Sequence, residues 1–239
     1  MRMYCSSEFS VTPLRPTTRL LKSNTIKAIQ QGGLFIGGDG MDFNSSFKAV
    51  IGFEGGYSDQ PDDRGGKTKY GVTEGTLRSA QNKGWVAKDV TIQTLTVDHA
   101  KTIYRKGYWD SIQGDRLPPP LDFIMFDSAI NHGVGGAVTL LQEALNAILP
   151  GEPLAIDGSF GPRTQGALSR VLALDREMTI RYPQLESNFL FRYLCVDFLM
   201  NRTERFSWIA QNDSTQRAFL RGWIHQRVII LAEKAGMEG

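Results

Sequence analysis

The chain has 239 residues, 41% of them hydrophobic, enough for one substantial core or two small ones, and its composition points to neither disorder nor a fibre. Its 27 basic and 25 acidic residues nearly cancel to a formal charge of +2, so charge implies no nucleic-acid partner, and no Lys/Arg run forms a binding arm. Two cysteines and three scattered histidines give no zinc-type ligand cluster, so neither a metal nor a cofactor is expected.

Residues 1–40 differ from the rest. Five basic residues (Arg2, Arg15, Arg19, Lys22, Lys27) face two acidic ones (Glu8, Asp39), Ser and Thr are frequent, and the stretch ends in "QQGGLFIGGDG". Poor periodicity predicts a flexible leader, and Met41, just before a clear helix start, is an alternative translation start. No segment reaches the roughly 18 to 20 apolar residues of a membrane span, and the N-terminus lacks the apolar core of a standard signal peptide. Stable membrane insertion is not expected.

The first expected helix starts at an Asn44 or Ser45 cap and carries Phe47, Val50, Ile51 and Phe53 before Gly55-Gly56 stops it. Next, "YSDQPDDRGGKTKY" (57–70) reads as a small irregular hairpin turning near Asp62 to Gly66. Thr73 caps a helix to about Asn82, and Thr96 caps "VDHAKTIYRKGYW" with Ala100, Ile103, Tyr104 and Tyr108 on one side. Pro120 suits the first turn of the helix over "LDFIMFDSAINHG", and another helix follows Gly133 to Gly136. A tight turn at Asp157-Gly158 precedes a helix opened by Pro162; two long helical patterns then close the chain, with a polar break near Arg202 to Ser214. No period-two alternation persists, so the fold class is mainly α with one small β element.

Four carboxylates crowd residues 54–63. Phe47, Val50 and Glu54 share a helix face at i, i+3, i+7, which puts Glu54 among apolar side chains. A carboxyl there loses hydration when charged, stays protonated nearer neutral pH and suits a general acid. Asp63, across the hairpin in a polar turn, would stay ionised and orient water or stabilise an oxocarbenium-like state, the division of roles that glycosidic cleavage needs. Asp59 and Asp62 read as turn residues. Thr68 and Tyr70 are candidates to hydrogen-bond a sugar or the attacking water. Asp127 and Asn131, at i and i+4, either line a cleft or form a buried hydrogen-bond network. Trp109 reads as core, and Cys195, within an apolar helix, as a buried structural thiol.

With these residues in view, "FEGGYSDQPDDRGGKTKYGVT" followed by "AKTIYRKGYWDSIQGDRLPPPLDFIMFDSAINHG" resembles the lysozyme-like N-acetylmuramidases of glycoside hydrolase family 108, found among phage endolysins and bacterial secretion-activator proteins. The likeness spans residues 44–135. Beyond it, "AIDGSFGPRTQGAL" is similar to the Asp-Gly-x-x-Gly-Pro-x-Thr signature of peptidoglycan-binding modules, and the last helices resemble the C-terminal peptidoglycan domain that accompanies the family. The resemblance implies a lysozyme-like catalytic domain over 41–135 and a helical peptidoglycan-binding region over 136–239. It carries the catalytic glutamate of Glu-Gly-Gly-Tyr onto Glu54. Related phage lysozymes show a Glu, eight residues, an acid or Cys, five residues, then Thr; Glu54 and Asp63 match this, whereas Thr68 comes one residue early.

The function so implied is hydrolysis of the β-1,4 bond between N-acetylmuramic acid and N-acetylglucosamine, for host lysis or wall remodelling. The alternatives are a lytic transglycosylase, which captures the sugar's own hydroxyl in place of water, and a non-catalytic wall-binding secretion accessory. The partner is bacterial peptidoglycan. A monomer made in the cytoplasm would act at the periplasmic wall, released there by a separate hole-forming protein.

Overall fold

The structure, a computed structural model, describes residues 41–51, 57–58, 68–185, 187–235 and 237. The leader reading of residues 1–40 lies outside them. Among the described residues the fold is mainly α with one small antiparallel sheet, as expected from the patterning. The chain divides into two compact units: one comprises the described residues up to Thr139 together with Asp157–Phe160, the other Leu140–Ile156 and Gly161 onward.

In the first unit, helix α1 (Phe43–Ile51) starts a little before the expected caps. Asp42 is the reason: its carboxylate accepts from the Ser45 N–H at 2.7 Å, and this bond holds its pKa below the usual range. Strands β1 (Tyr57–Ser58) and β2 (Thr68–Lys69) pair antiparallel, and a third strand not read from the sequence, β3 (Val72–Thr73), pairs with β2. The β2–β3 link is the two-residue turn Tyr70-Gly71, with φ of +51° and +68°. Two successive positive φ values define the mirror-image turn whose twist suits a hairpin. Gly71 takes that conformation freely, whereas Tyr70 is strained in it.

Helix α2 (Glu74–Asn82) begins where Thr73 accepts from the Thr76 N–H, and α3 (Val97–Tyr104) begins at Thr96, which exchanges reciprocal bonds with His99 in a capping box. Past Tyr104 the chain departs from the 3.6 period. Arg105–Trp109 forms a π turn, with one extra residue per turn, and Trp109 points into the core. Tyr104 and Trp109 are buried and Tyr108 is only half-buried. The reading of Trp109 as core is right, and Tyr108 lies on the side of Tyr104 as expected, their ring centroids 5.6 Å apart.

The Trp109 indole meets Phe43 and Phe126 edge-on at 5.7 and 5.3 Å between centroids, and its N–H donates to Asp115 at 2.8 Å. Asp115 also accepts from Arg105, whose guanidinium lies 5.1 Å from the Phe43 ring centroid. Gly114 sits so close beneath the indole that a methyl group there would overlap it.

Helix α4 (Leu121–Ile148) follows Pro120 and is broken at Gly133 (φ +76°, ψ 161°), where the sequence placed its glycine stop. Every residue from Leu121 to Asn131 is buried. In the loop Asp157–Phe160, Gly158 (φ +69°) lies against Gly135; a Cβ on Gly158 would stand 3.0 Å from the Gly135 carbonyl oxygen. The Asp157 carboxylate accepts from the Ser159 N–H, tightening the turn.

The second unit holds α5 (Pro162–Arg181), with Pro162 in its first turn, and α6 (Phe189–Asn212). The polar break expected from Arg202 is not there. Phe206 and Ala210 continue the buried face at four-residue steps from Arg202, and the Thr203 and Ser207 hydroxyls donate to carbonyls one turn back, so the helix runs on to Asn212. Asp213 ends it by accepting from the Thr215 N–H. Short helices α7 (Leu220–Ile224) and α8 (Ile230–Lys234) flank a second π turn, His225–Ile229. Phe206, Trp223 and Phe219 form an aromatic row with centroid spacings of 5.5 and 6.1 Å. Cys195 is a fully buried thiol.

Candidate active site

Described structure frames the acid-bearing stretch. Helix α1 ends at Ile51 and β1 starts at Tyr57, which then pairs with Lys69 while Ser58 pairs with Thr68. The described strands β1 and β2 are thus paired antiparallel on either side of residues 59–67 in the sequence. Glu54, Asp59, Asp62 and Asp63 lie outside the described residues.

Thr68 and Tyr70 are both in this hairpin and both half-buried. Thr68 faces Thr73 across the β2–β3 ladder. Tyr70 stands at the tip, its ring 5.6 Å from the Lys69 ammonium, which donates to the Gln93 carbonyl at 2.8 Å. The buried Tyr104 hydroxyl donates to the Tyr70 carbonyl at 3.4 Å and so ties the strained turn to α3.

Asn131 belongs to a different element. Its amide nitrogen donates to the Asp127 carbonyl at 2.7 Å and to the Asp127 carboxylate at 3.3 Å, and both residues are buried on α4. Of the two roles left open by their spacing, these bonds describe the internal network.

Sequence reasoning passed over Asp122. It is buried in the first turn of α4, accepts from the Phe123 N–H at 2.7 Å, and loss of hydration pushes its pKa up to about 6 against the pull of that bond. The available signal was an acid in the first turn of a helix whose next four residues, Phe123 to Phe126, are all apolar. Among the described residues, no group of three or more His, Cys, Asp or Glu is placed to hold a metal ion.

Comparison with known proteins bears on both units. Residues 47–133 match the family described as glycosyl hydrolase 108, and residues 136–228 match the one described as a predicted peptidoglycan domain. The chain joins a glycosyl hydrolase 108 domain to a peptidoglycan domain. A solved structure entitled "Structure of Brucella abortus SagA" is 28% identical to it with a TM-score of 0.56, over 81% of this chain and 92% of that one. No curated protein matches in sequence.

The glycosyl hydrolase 108 domain is thus the mainly α, lysozyme-like part, with its small sheet, and the peptidoglycan domain the helical part. Their combination places the chain in a class of peptidoglycan hydrolases. The Asp-Gly-x-x-Gly-Pro-x-Thr signature acquires a structural meaning here: Asp157 and Gly158 shape a turn, Pro162 opens α5, and buried Thr164 accepts from Gln142 at 3.1 Å. Among the described residues no helix is long and apolar enough to cross a membrane.

Proposed function

We propose that the chain is an N-acetylmuramidase cleaving the β-1,4 bond between N-acetylmuramic acid and N-acetylglucosamine, with residues 41–135 as the catalytic part and 136–239 as the wall-binding part. What carries the reading is the tandem match of a glycosyl hydrolase 108 domain and a peptidoglycan domain along one chain. Glu54 is the general acid that protonates the leaving glycosidic oxygen. Asp63, ionised, orients water or stabilises the oxocarbenium-like transition state. Thr68 and Tyr70 contact the sugar from the hairpin, and Asn131 supports the site from α4.

The β1–β2 pairing supports this assignment, because it brings together the two ends of the segment that contains Asp63. The substrate is reached at the periplasmic face of the wall. Incubating the full chain with purified peptidoglycan and identifying products by mass spectrometry tests the proposal. Reducing N-acetylmuramic acid ends are expected, and Glu54→Gln lowers the rate by at least about a hundredfold. Anhydro ends would identify a transglycosylase instead, and unchanged turnover in Glu54→Gln would remove the acid from its role.

A further inference from the structure

We propose that one edge of α5, through Arg163, Arg170 and Arg181, binds the carboxylates of the short peptides that peptidoglycan strands carry. The inference rests on the peptidoglycan reading above and assigns a contact surface within it. Helix α5 carries four arginines and no lysine. At about 100° per residue, steps of seven and eleven bring a side chain back to within about 20° of its starting direction. These three therefore share one edge, spaced about 10 and about 16 Å along the axis. All three are exposed, and among the described residues none enters an ion pair.

Within the fold these charges have no counter-ion. Of the two acids of α5, Asp175 is buried and accepts from the Leu190 and Phe191 N–H groups. Glu177 lies on the same edge one turn before Arg181 and pairs with neither Arg170 nor Arg181. Arg163 stands in the first turn, at the end of the helix dipole that disfavours a cation. The Arg181 guanidinium lies 5.7 Å from the Tyr182 ring centroid, a contact that steadies the fork while its N–H groups stay open to solvent.

The chemistry fits a wall peptide. N-acetylated sugars are uncharged, so the anionic groups of the polymer are its peptide carboxylates. A guanidinium takes a carboxylate through two parallel N–H bonds, which an ammonium does not, and the cations of this edge are all arginine. A lipid surface fits less well, because the apolar face of α5, with Ala167, Leu168 and Val171, is buried within its own unit and not available for insertion. All three arginines belong to the part that matches the predicted peptidoglycan domain.

The test is cosedimentation of the full chain, carrying Glu54→Gln to preserve the polymer, with purified insoluble peptidoglycan. Arg163→Gln, Arg170→Gln and Arg181→Gln combined are expected to weaken binding about tenfold, and the corresponding three Arg→Lys changes less. Wall whose carboxylates have been converted to amides is held about tenfold more weakly by the parent and no differently from native wall by the Arg→Gln triple variant. Arg170→Gln alone, weakening binding about twofold, repeats the test with a milder change. Native-strength binding by the triple variant, or amidated wall held as tightly as native wall, overturns the inference and leaves the peptidoglycan reading intact. Phosphatidylglycerol vesicles that bind the parent but not the triple variant, with wall binding equal in both, would assign the edge to lipid headgroups instead. A parent that binds no wall at all removes the peptidoglycan reading itself, and the inference with it.

Discussion

At the scale of single residues, Asp122 shows what burial does to a carboxyl. Its pKa rises from 3.8 to about 6 because α4 removes it from water. The folded chain therefore retains a proton that the unfolded chain gives up between those values. That contribution to stability is complete below about pH 4 and is lost as the pH climbs past about 6. Asp122→Asn has no proton to lose. The stability gap between variant and wild type, followed by urea unfolding, is expected to shift in the variant's favour by about 1–3 kcal/mol between pH 4 and pH 7.5. A gap independent of pH would mean that the carboxylate keeps its hydration in the folded chain.

At the scale of elements, helix ends divide into those set by neighbours in sequence and those set by neighbours in space. Thr73 and Thr96 belong to the first kind: each sits beside the backbone N–H it satisfies, so its role was legible from residue type and position. Asp175 belongs to the second. From within α5 its carboxylate accepts from the Leu190 and Phe191 N–H groups at 2.7 and 3.4 Å, capping the start of α6 from another helix. No local signal announces a cap some fifteen residues away. Burial raises its pKa, against the pull of those two bonds. Asp175→Ala leaves buried donors unpaired and is expected to cost about 1–3 kcal/mol, while Asp175→Asn, still an acceptor and never charged, costs less. Chemical denaturation of both variants measures the difference, and equal losses would show that the cap contributes nothing. The π turns escaped reading for a related reason: a 3.6-residue pattern has no place for an extra residue, and only the fit of the Trp109 indole against Phe43 and Phe126 selects it.

At the scale of the whole molecule, mainly helical architecture and the order of the two domains were legible, because apolar periodicity, glycine stops and dispersed motifs are written along the chain. The membership of Asp157–Phe160 in the first unit was not, since it depends on two glycine backbones meeting, and glycine carries no side chain to advertise a contact. Gly158→Ala tests that contact. The new methyl would stand 3.0 Å from the Gly135 carbonyl oxygen at a positive φ, and a loss of about 1–2 kcal/mol is expected. Hydrogen exchange reads it as faster opening of the amides around Gly135, and unchanged protection there would dismiss the contact. The same meeting of backbones bears on inheritance. A recombination event that swapped the peptidoglycan domain at residue 136, the border between the two family matches, would also replace four residues on which the hydrolase unit closes. A donor with a side chain at this position would bring a Cβ to 3.0 Å from the Gly135 carbonyl oxygen, so a chimera joined there is expected to lose about the same 1–2 kcal/mol.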